Sequence, residues 1–258
     1  MMHKDNTSFD TLKVEITNNI CRVRFNRPEA DNTINAQMVR DFDALLQTCE
    51  DKSSAITILI LEGAKDVFCA GGDFKATAEA PTAEDPEKLY GVWYRLATGP
   101  FLTISVVEGR ANAGGVGFIV ASDIVLASEA ATFGLSELLF GLFPACVMPF
   151  LVRRIGFQKA HYLTLMTRPI GTIEAANWGL VDATSDQVDI TLRQHLSRLK
   201  YLDKAAIANY KAYMAKGTDI LKSWKPDALT ANRKMFNDPS IQANIKRYVT
   251  ELKFPWEA

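Results

Sequence analysis

The stretch that most limits how this chain can fold lies between Thr103 and Glu137. A β-branched run, Thr103-Ile104-Ser105-Val106-Val107, is followed by Asn112-Ala113-Gly114-Gly115-Val116-Gly117 and then by the apolar Phe118-Ile119-Val120-Ala121. This order predicts a strand that hands over, through glycines, to the start of a helix. The first N–H groups of a helix have no partner inside it, and the helix end carries partial positive charge. The glycines therefore mark a place able to hold an anion, inside a fold that mixes strands and helices. The stretch runs on through Ala121-Ser122-Asp123 and the apolar Ile124-Val125-Leu126-Ala127, and closes at Thr132-Phe133-Gly134-Leu135-Ser136-Glu137.

The rest of the chain narrows the class. Its 258 residues can bury a sizeable core, and 48% hydrophobic with 23% charged residues is a globular composition. Twenty-nine Lys and Arg against 30 Asp and Glu leave a formal charge of −1, so no global field draws the chain to nucleic acid or to an anionic membrane. Cys21, Cys49, Cys69 and Cys146 lie far apart without CxxC spacing, which argues against a zinc site or a disulfide framework and for a reducing compartment. The polar N-terminus and the lack of a long apolar run predict a cytoplasmic protein, with neither a signal peptide nor a membrane span.

Leu12–Thr17 and Ile20–Phe25 alternate around Asn18-Asn19 and predict a hairpin. Met38, Val39, Phe42, Leu45, Leu46 and Cys49 recur at helical spacing, with Asn35 as N-cap. Ile56–Leu61, apolar throughout, reads as a strand covered on both faces. A second glycine turn follows a strand at Phe68-Cys69-Ala70-Gly71-Gly72-Asp73. Ala76–Glu87, poor in core-forming residues, reads as a mobile surface segment, and Leu89–Leu96 as a short helix. Leu138–Cys146 reads as an apolar loop. Phe150–Gly156 predicts a helix stopped by glycine, and further helices are expected at Phe157–Met166, Ile173–Trp178 and Ile190–Leu202. From Lys204 onward the chain reads as helical, with breaks at Lys225-Pro226 and Asp238-Pro239. Strands concentrate in the first half and helices in the second, giving residues 1–203 as a core and 204–258 as a helical C-terminal region.

Ends of parallel strands share one edge of an α/β sheet, so the two glycine turns are candidates to meet there. The N–H groups of Gly72 and Gly114 would then form an oxyanion hole for the enolate of a thioester, where losing one donor typically costs ~2.7–4 kcal/mol of barrier. Glycines at turns also arise for steric reasons alone. Glu137, among Phe133, Leu135, Leu138, Leu139 and Phe140, is either a partly buried carboxylate with a raised pKa, suited to proton transfer, or a surface or helix-capping acid. Asp73 reads as a residue that fixes its turn. Cys69 and Cys146 read as small buried hydrophobes, and His3, His161 and His195 are scattered. Tyr90, Trp93 and Tyr94 either line an acyl pocket or pack.

Taken together, Phe68-Cys69-Ala70-Gly71-Gly72-Asp73, Gly114-Gly115-x-Gly117 with Ala121-Ser122-Asp123, Phe133-Gly134-x-x-Glu137, and Glu174-Ala175-x-x-x-Gly179-Leu180-Val181 resemble the crotonase (enoyl-CoA hydratase/isomerase) superfamily, in the family's order. Asn26–Asn35, Leu135–Cys146, Arg153–Tyr162 and Phe254-Pro255-Trp256-Glu257 are similar to one branch of it, the polyketide β-branching dehydratases.

The resemblance implies an α/β fold, a crotonase-like spiral of ββα units followed by a helical C-terminal trimerisation region. Gly72 and Gly114 take the oxyanion-hole positions, and Ala70, Asn112, Tyr90 and Trp93 take substrate-binding positions. Hydratases of the superfamily use two glutamates. The second falls on Glu137, whereas the first falls on Gly117. A single carboxylate is also what the superfamily's double-bond isomerases keep. The branch implies syn-dehydration of a 3-hydroxy-3-methylglutaryl thioester on an acyl carrier protein to the 3-methylglutaconyl thioester. Glu137 acts as base and acid, or shares the task with a group such as Asn112 working through water. Arg110, Arg153 and Arg154 are candidate cations for the distal carboxylate, although an arginine pair on a helix is more often a solvated face. No metal and no cofactor is implied beyond the phosphopantetheine or CoA that carries the substrate. The alternatives are an enoyl-thioester isomerase, the 3-methylglutaconyl decarboxylase of the same cassette, and a non-catalytic binding or scaffold protein; near-zero charge disfavours RNA binding.

Overall fold

The computed structural model describes residues 9–79, 85–217 and 219–257. The hairpin is formed by β1 (Leu12–Thr17) and β2 (Ile20–Phe25), in the register Leu12 opposite Phe25, with Asn18 at φ 55° in its turn. Helix α1 (Ala36–Glu50) starts at Asn35, whose side chain accepts the Met38 N–H. From β3 (Ile58–Glu62) the chain repeats a pattern: one strand for a large sheet, one for a small sheet, then helix. The repeats are β3, β4 (Val67–Cys69), α2 (Phe74–Glu79) and α3 (Pro86–Thr98); then β5 (Leu102–Val107), β6 (Arg110–Asn112) and α4 (Gly114–Val120); then β7 (Ile124–Ala127), β8 (Thr132–Gly134), a 3-10 helix (Glu137–Phe140) and α5 (Met148–Met166). A last turn adds β9 (Ile170–Gly171), α6 (Thr172–Asn177), β10 (Ala183–Thr184) and α7 (Val188–Leu199). The large sheet has the order β1-β2-β3-β5-β7-β10, parallel from β2 onward, and the small sheet the order β4-β6-β8-β9. This is the expected spiral of ββα units.

The unbroken apolar run of β3 is explained by its two faces. Ile58 and Ile60 join Ile104, Val106 and Leu126 under Val188 and Leu192 of α7, while Leu59 and Leu61 face the main core with Phe42 and Trp93. Gly156, at φ 76° and ψ 163°, divides α5 into the two helices that the sequence predicts.

The structure corrects several expectations. Within the Ala76–Glu87 surface segment, Ala76–Glu79 and Pro86-Glu87 are helical, because Asp73 accepts the Ala76 N–H at the start of α2 and Asp85, followed by Pro86, caps α3; residues 80–84 lie outside the described residues. The apolar loop at Leu138–Cys146 begins within a 3-10 helix, which ends where Gly141 turns to φ 83°. The strand Thr103–Val107 does not lead directly to the glycines. Three-residue strand β6 intervenes, too short to show any period.

The C-terminal region is helical, as α8 (Lys204–Gly217), α9 (Ile220–Ser223), α10 (Lys225–Phe236) and α11 (Pro239–Glu251). It shares its core with the rest: Leu221, Ala228 and Leu229 belong to the main apolar cluster. Lys204 Nζ reaches the carbonyls of Cys49 in the last turn of α1 and of Asp51 and Ser54 just beyond it. Buried Lys211 is held by Asp123 Oδ2 at 2.8 Å and by the carbonyls of Leu96 and Phe101.

Candidate active site

The site follows from the small sheet. Strands β4, β6 and β8 are parallel neighbours, with Cys69 opposite Ala111, Ala111 opposite Phe133, and Asn112 opposite Gly134. Each is followed at its C-terminal end by one candidate residue: Gly72 after β4, Gly114 after β6, Glu137 after β8. Two inter-strand spacings cover about 10 Å, so residues distant in sequence meet at one sheet edge.

The two glycine turns are pressed together. Gly71 has φ +100°, and a methyl group on it would lie 2.7 Å from Ala113 Cβ and 3.0 Å from the Asn112 carbonyl oxygen. A methyl group on Gly114 would lie 3.8 Å from Gly72 N. Neighbouring amides are engaged, Asp73 N with Ile34 O and Ala113 N with Gly134 O, whereas those of Gly72 and Gly114 have no hydrogen-bond partner among the described residues. Ala113, at φ 50° and ψ −125°, sits in a backbone region that favours glycine as it turns the chain into α4; such strain costs of order 1–3 kcal/mol and clusters at functional sites. Gly115 is required by close approach, since any Cβ there would lie 2.3 Å from the Cys69 carbonyl oxygen.

Glu137 is half-buried, and its Oε2 is fully buried without a hydrogen-bond partner. Burial pushes its carboxyl up from the ordinary 4.5 to about 7, opposed in part by the backbone N–H groups of Glu137 and Ser136. That is the range in which a carboxylate both takes and returns a proton at neutral pH. The helix that carries it is fixed from outside by an aromatic cluster. Phe140 meets Phe74 of α2 at 5.3 Å, Tyr248 of α11 at 5.0 Å and Phe254 at 5.8 Å between ring centres, and Asn244 Nδ2 donates to the Phe140 carbonyl.

The remaining candidates divide. Asn112 Nδ2 donates to Ser136 Oγ at 2.9 Å, tying β6 to the segment that carries Glu137. Ala70, half-buried, donates its N–H to Asp31 O. The Tyr90 hydroxyl is committed to the Leu221 carbonyl at 2.5 Å, and its ring packs on Phe150. Trp93 is 1% exposed and fills the space at Gly117, where a Cβ would meet indole atoms at 2.5–2.8 Å. Arg110 pairs with exposed Asp31. Arg154 is not on a solvated face: it binds Asp182 and the carbonyls of Leu180, Ser122 and Asp123. Arg153, half-buried, has no ion pair or hydrogen bond among the described residues, and burial lowers its pKa.

Sequence reasoning missed Ser136 and the pair of Arg27 Nη2 with Asp73 Oδ2 at 2.9 Å, which braces the turn after Gly72. Arg27 sits in Asn26-Arg27-Pro28-Glu29, but nothing in that motif tells which acid it meets. The four cysteines are free and buried, and burial pushes the thiols of Cys69 and Cys146 up to about 12, so neither suits nucleophilic work. Among the described residues no cluster of His, Cys, Asp and Glu can hold a metal, and no helix is long and apolar enough to cross a membrane.

The enoyl-CoA hydratase/isomerase family profile matches residues 15–258. The bacillaene synthase dehydratase PksH of Bacillus subtilis (strain 168) is 48% identical over 258 residues, covering 98% of this chain and 99% of that protein. The crystal structure of PksH from Bacillus subtilis matches with a TM-score of 0.93, over 96% of this chain and 100% of that one. Pseudomonas aeruginosa AtuE matches with a TM-score of 0.76 at 31% identity, over 93% and 97% of the two chains.

Proposed function

The chain belongs to the enoyl-CoA hydratase/isomerase family and is an enzyme of the hydro-lyase class, and from that premise we propose that it dehydrates a 3-hydroxy-3-methylglutaryl thioester, carried on an acyl carrier protein, to the 3-methylglutaconyl thioester during polyketide synthesis. The observation that carries the reading is a single carboxylate, Glu137, with one buried oxygen left without a partner, following the strand that neighbours the two turns whose glycine amides are free, with the place of a second carboxylate filled by Trp93. Similarity over the full length to a dehydratase of polyketide synthesis supports it.

In this reading Glu137 Oε2 takes a proton from the carbon next to the thioester. The N–H groups of Gly72 and Gly114 hold the enolate oxygen, each donor worth ~2.7–4 kcal/mol in the transition state. The enolate then collapses, the C3–O bond breaks, and the hydroxyl leaves as water with the proton that Glu137 returns. Asn112, through Ser136, keeps the carboxylate at the strand ends. Arg153 is the candidate for the distal carboxylate, since Arg110 and Arg154 are engaged elsewhere. The substrate's phosphopantetheine arm, or CoA, is the only carrier group the reaction needs. The reading includes a homotrimer formed through the helical C-terminal region, where Tyr210, Tyr213 and Met214 of α8 are exposed.

Mass spectrometry of the loaded carrier protein tests the reaction. Loss of one water, slowed by roughly 10²–10⁴-fold in Glu137→Gln, is the expected result. A single carboxylate also favours an isomerase as the second reading: no mass change with the hydroxy substrate, together with double-bond migration in an enoyl thioester, would replace dehydration. Loss of carbon dioxide from the dehydrated acid would make the enzyme a decarboxylase, and no reaction at all would leave a binding protein.

A further inference from the structure

Two side-chain polar atoms among the described residues are buried without a hydrogen-bond partner, Glu137 Oε2 and Trp93 Nε1. The indole N–H is a donor only, and leaving it unpaired in a buried place is unfavourable. Its position is set from three sides. Phe118 lies 5.9 Å and Phe150 6.1 Å from the ring, both edge to face. On the third side the indole lies over Gly117, with Cε2 only 2.6 Å from where a Cβ would stand. Nε1 is bonded to that Cε2, next to the ring edge, Cζ2 and Cη2, that meets the position a side chain at 117 would occupy. Position 117 is one helical turn beyond Gly114 and shares its face of α4.

We propose that the Trp93 indole N–H holds the departing 3-hydroxyl oxygen of the substrate, in the place that a second glutamate takes in two-carboxylate hydratases. This rests on the dehydratase reading. The chemistry favours a neutral donor there. A 3-methylglutaryl substrate carries its own distal carboxylate, and a second glutamate in the site would repel it. An indole N–H adds no charge, and it strengthens as the oxygen gains negative charge. Trp93 keeps its proton throughout. Glu137 takes the C2 proton, the electron pair of that bond becomes the C2=C3 double bond, and the oxygen leaves with the C3–O pair and the proton from Glu137.

Binding tests the hydrogen bond apart from turnover. In the Glu137→Gln protein, two pantetheine thioesters are compared, 3-hydroxy-3-methylglutaryl and 3-methylglutaryl, which differ only in the hydroxyl. Adding Trp93→Phe should weaken the hydroxy ligand about 5–20-fold and leave the other within about twofold. With Glu137 present, Trp93→Phe should lower kcat roughly 10–100-fold, change KM less, and leave the pH midpoint in place. Equal weakening of both ligands, or of neither, overturns the proposal. Should Trp93→Phe fail to fold, biosynthetic replacement of tryptophan by β-(3-benzothienyl)alanine puts sulfur for N–H in the same shape; the other tryptophans described, Trp178, Trp224 and Trp256, are at least partly exposed. A wild-type protein that binds the hydroxy ligand more tightly through Trp93, yet releases no water, would refute the dehydratase reading and leave the hydrogen bond standing.

Discussion

Glu137 shows how much one residue's surroundings decide. Its carboxyl is pushed to about 7 chiefly by burial, so kcat/KM for dehydration should rise with pH to a midpoint near 7, as the carboxylate form accumulates. A midpoint near 4.5 would mean that water reaches the group. The same shift bears on stability. Between the ordinary pKa of 4.5 and about 7 the folded state holds more protons than the unfolded one, so this group's contribution is fully present below 4.5 and is lost as pH rises through 7. The loss amounts to at most about 3 kcal/mol. Glu137→Gln should therefore be more stable than the wild type at pH 8, and thermal unfolding at pH 5 and pH 8 checks the sign. A residue can thus be inactive and more stable at once, because the buried charge that does the chemistry opposes folding.

At the scale of elements, the site depends on three short parallel strands ending side by side. Their packing is close where α4 meets the end of β4, at Gly115. Gly115→Ala would drive a methyl group against the Cys69 backbone, and overpacking of this kind costs typically about 1–3 kcal/mol. Gly114→Ala presses closely only on the flexible end of Ile34, with the Gly71 and Gly72 backbone at ordinary contact distance, and should cost less than about 1 kcal/mol by overpacking. Urea denaturation of the two variants distinguishes them; equal losses would contradict the packing described. The glycines themselves were legible in the sequence, because strand-glycine-helix order has a mechanism behind it. Strands β6 and β8 were not, since Arg110-Ala111-Asn112 and Thr132-Phe133-Gly134 are too short for alternation to declare itself. The start of a helix at Phe74 was hidden too, because it depends on the Asp73 cap and on the Arg27 contact that holds Asp73 in place.

Across the whole molecule, the C-terminal helices complete the site from outside. Ile241 and Ile245 of α11 join Phe140 and Leu142 in one apolar cluster, with Phe74 against it. That cluster spans α2 after Gly72, the 3-10 helix of Glu137, and α11. A chain ending at Asn237 would leave Phe140 and its neighbours facing water. Its dehydration rate is expected to fall at least about tenfold, and its pH midpoint to move from about 7 toward 4.5, as solvent reaches Glu137. A truncated chain with an unmoved midpoint would show that α11 is not what keeps the carboxylate dry. The change to all-helical sequence at Lys204 was readable from composition and period. Its anchoring was not: nothing local pairs Lys211 with Asp123 or Tyr90 with Leu221.

By itself the sequence determined the strands and helices long enough to show a period, the two glycine turns, the carboxylate at position 137 and the missing one at position 117. The elements, the turns and Glu137 are local facts, written in spacing and residue type, and the absence at position 117 is what the family resemblance implies. Only the tertiary structure decided that the turns after β4 and β6 press together, that burial raises Glu137, that Trp93 fills the gap at Gly117, and that Tyr90 is held by the chain's own backbone. Each of these depends on which residues, remote in sequence, come within a few ångströms, and on how much water is left between them. Local pattern carries no record of either.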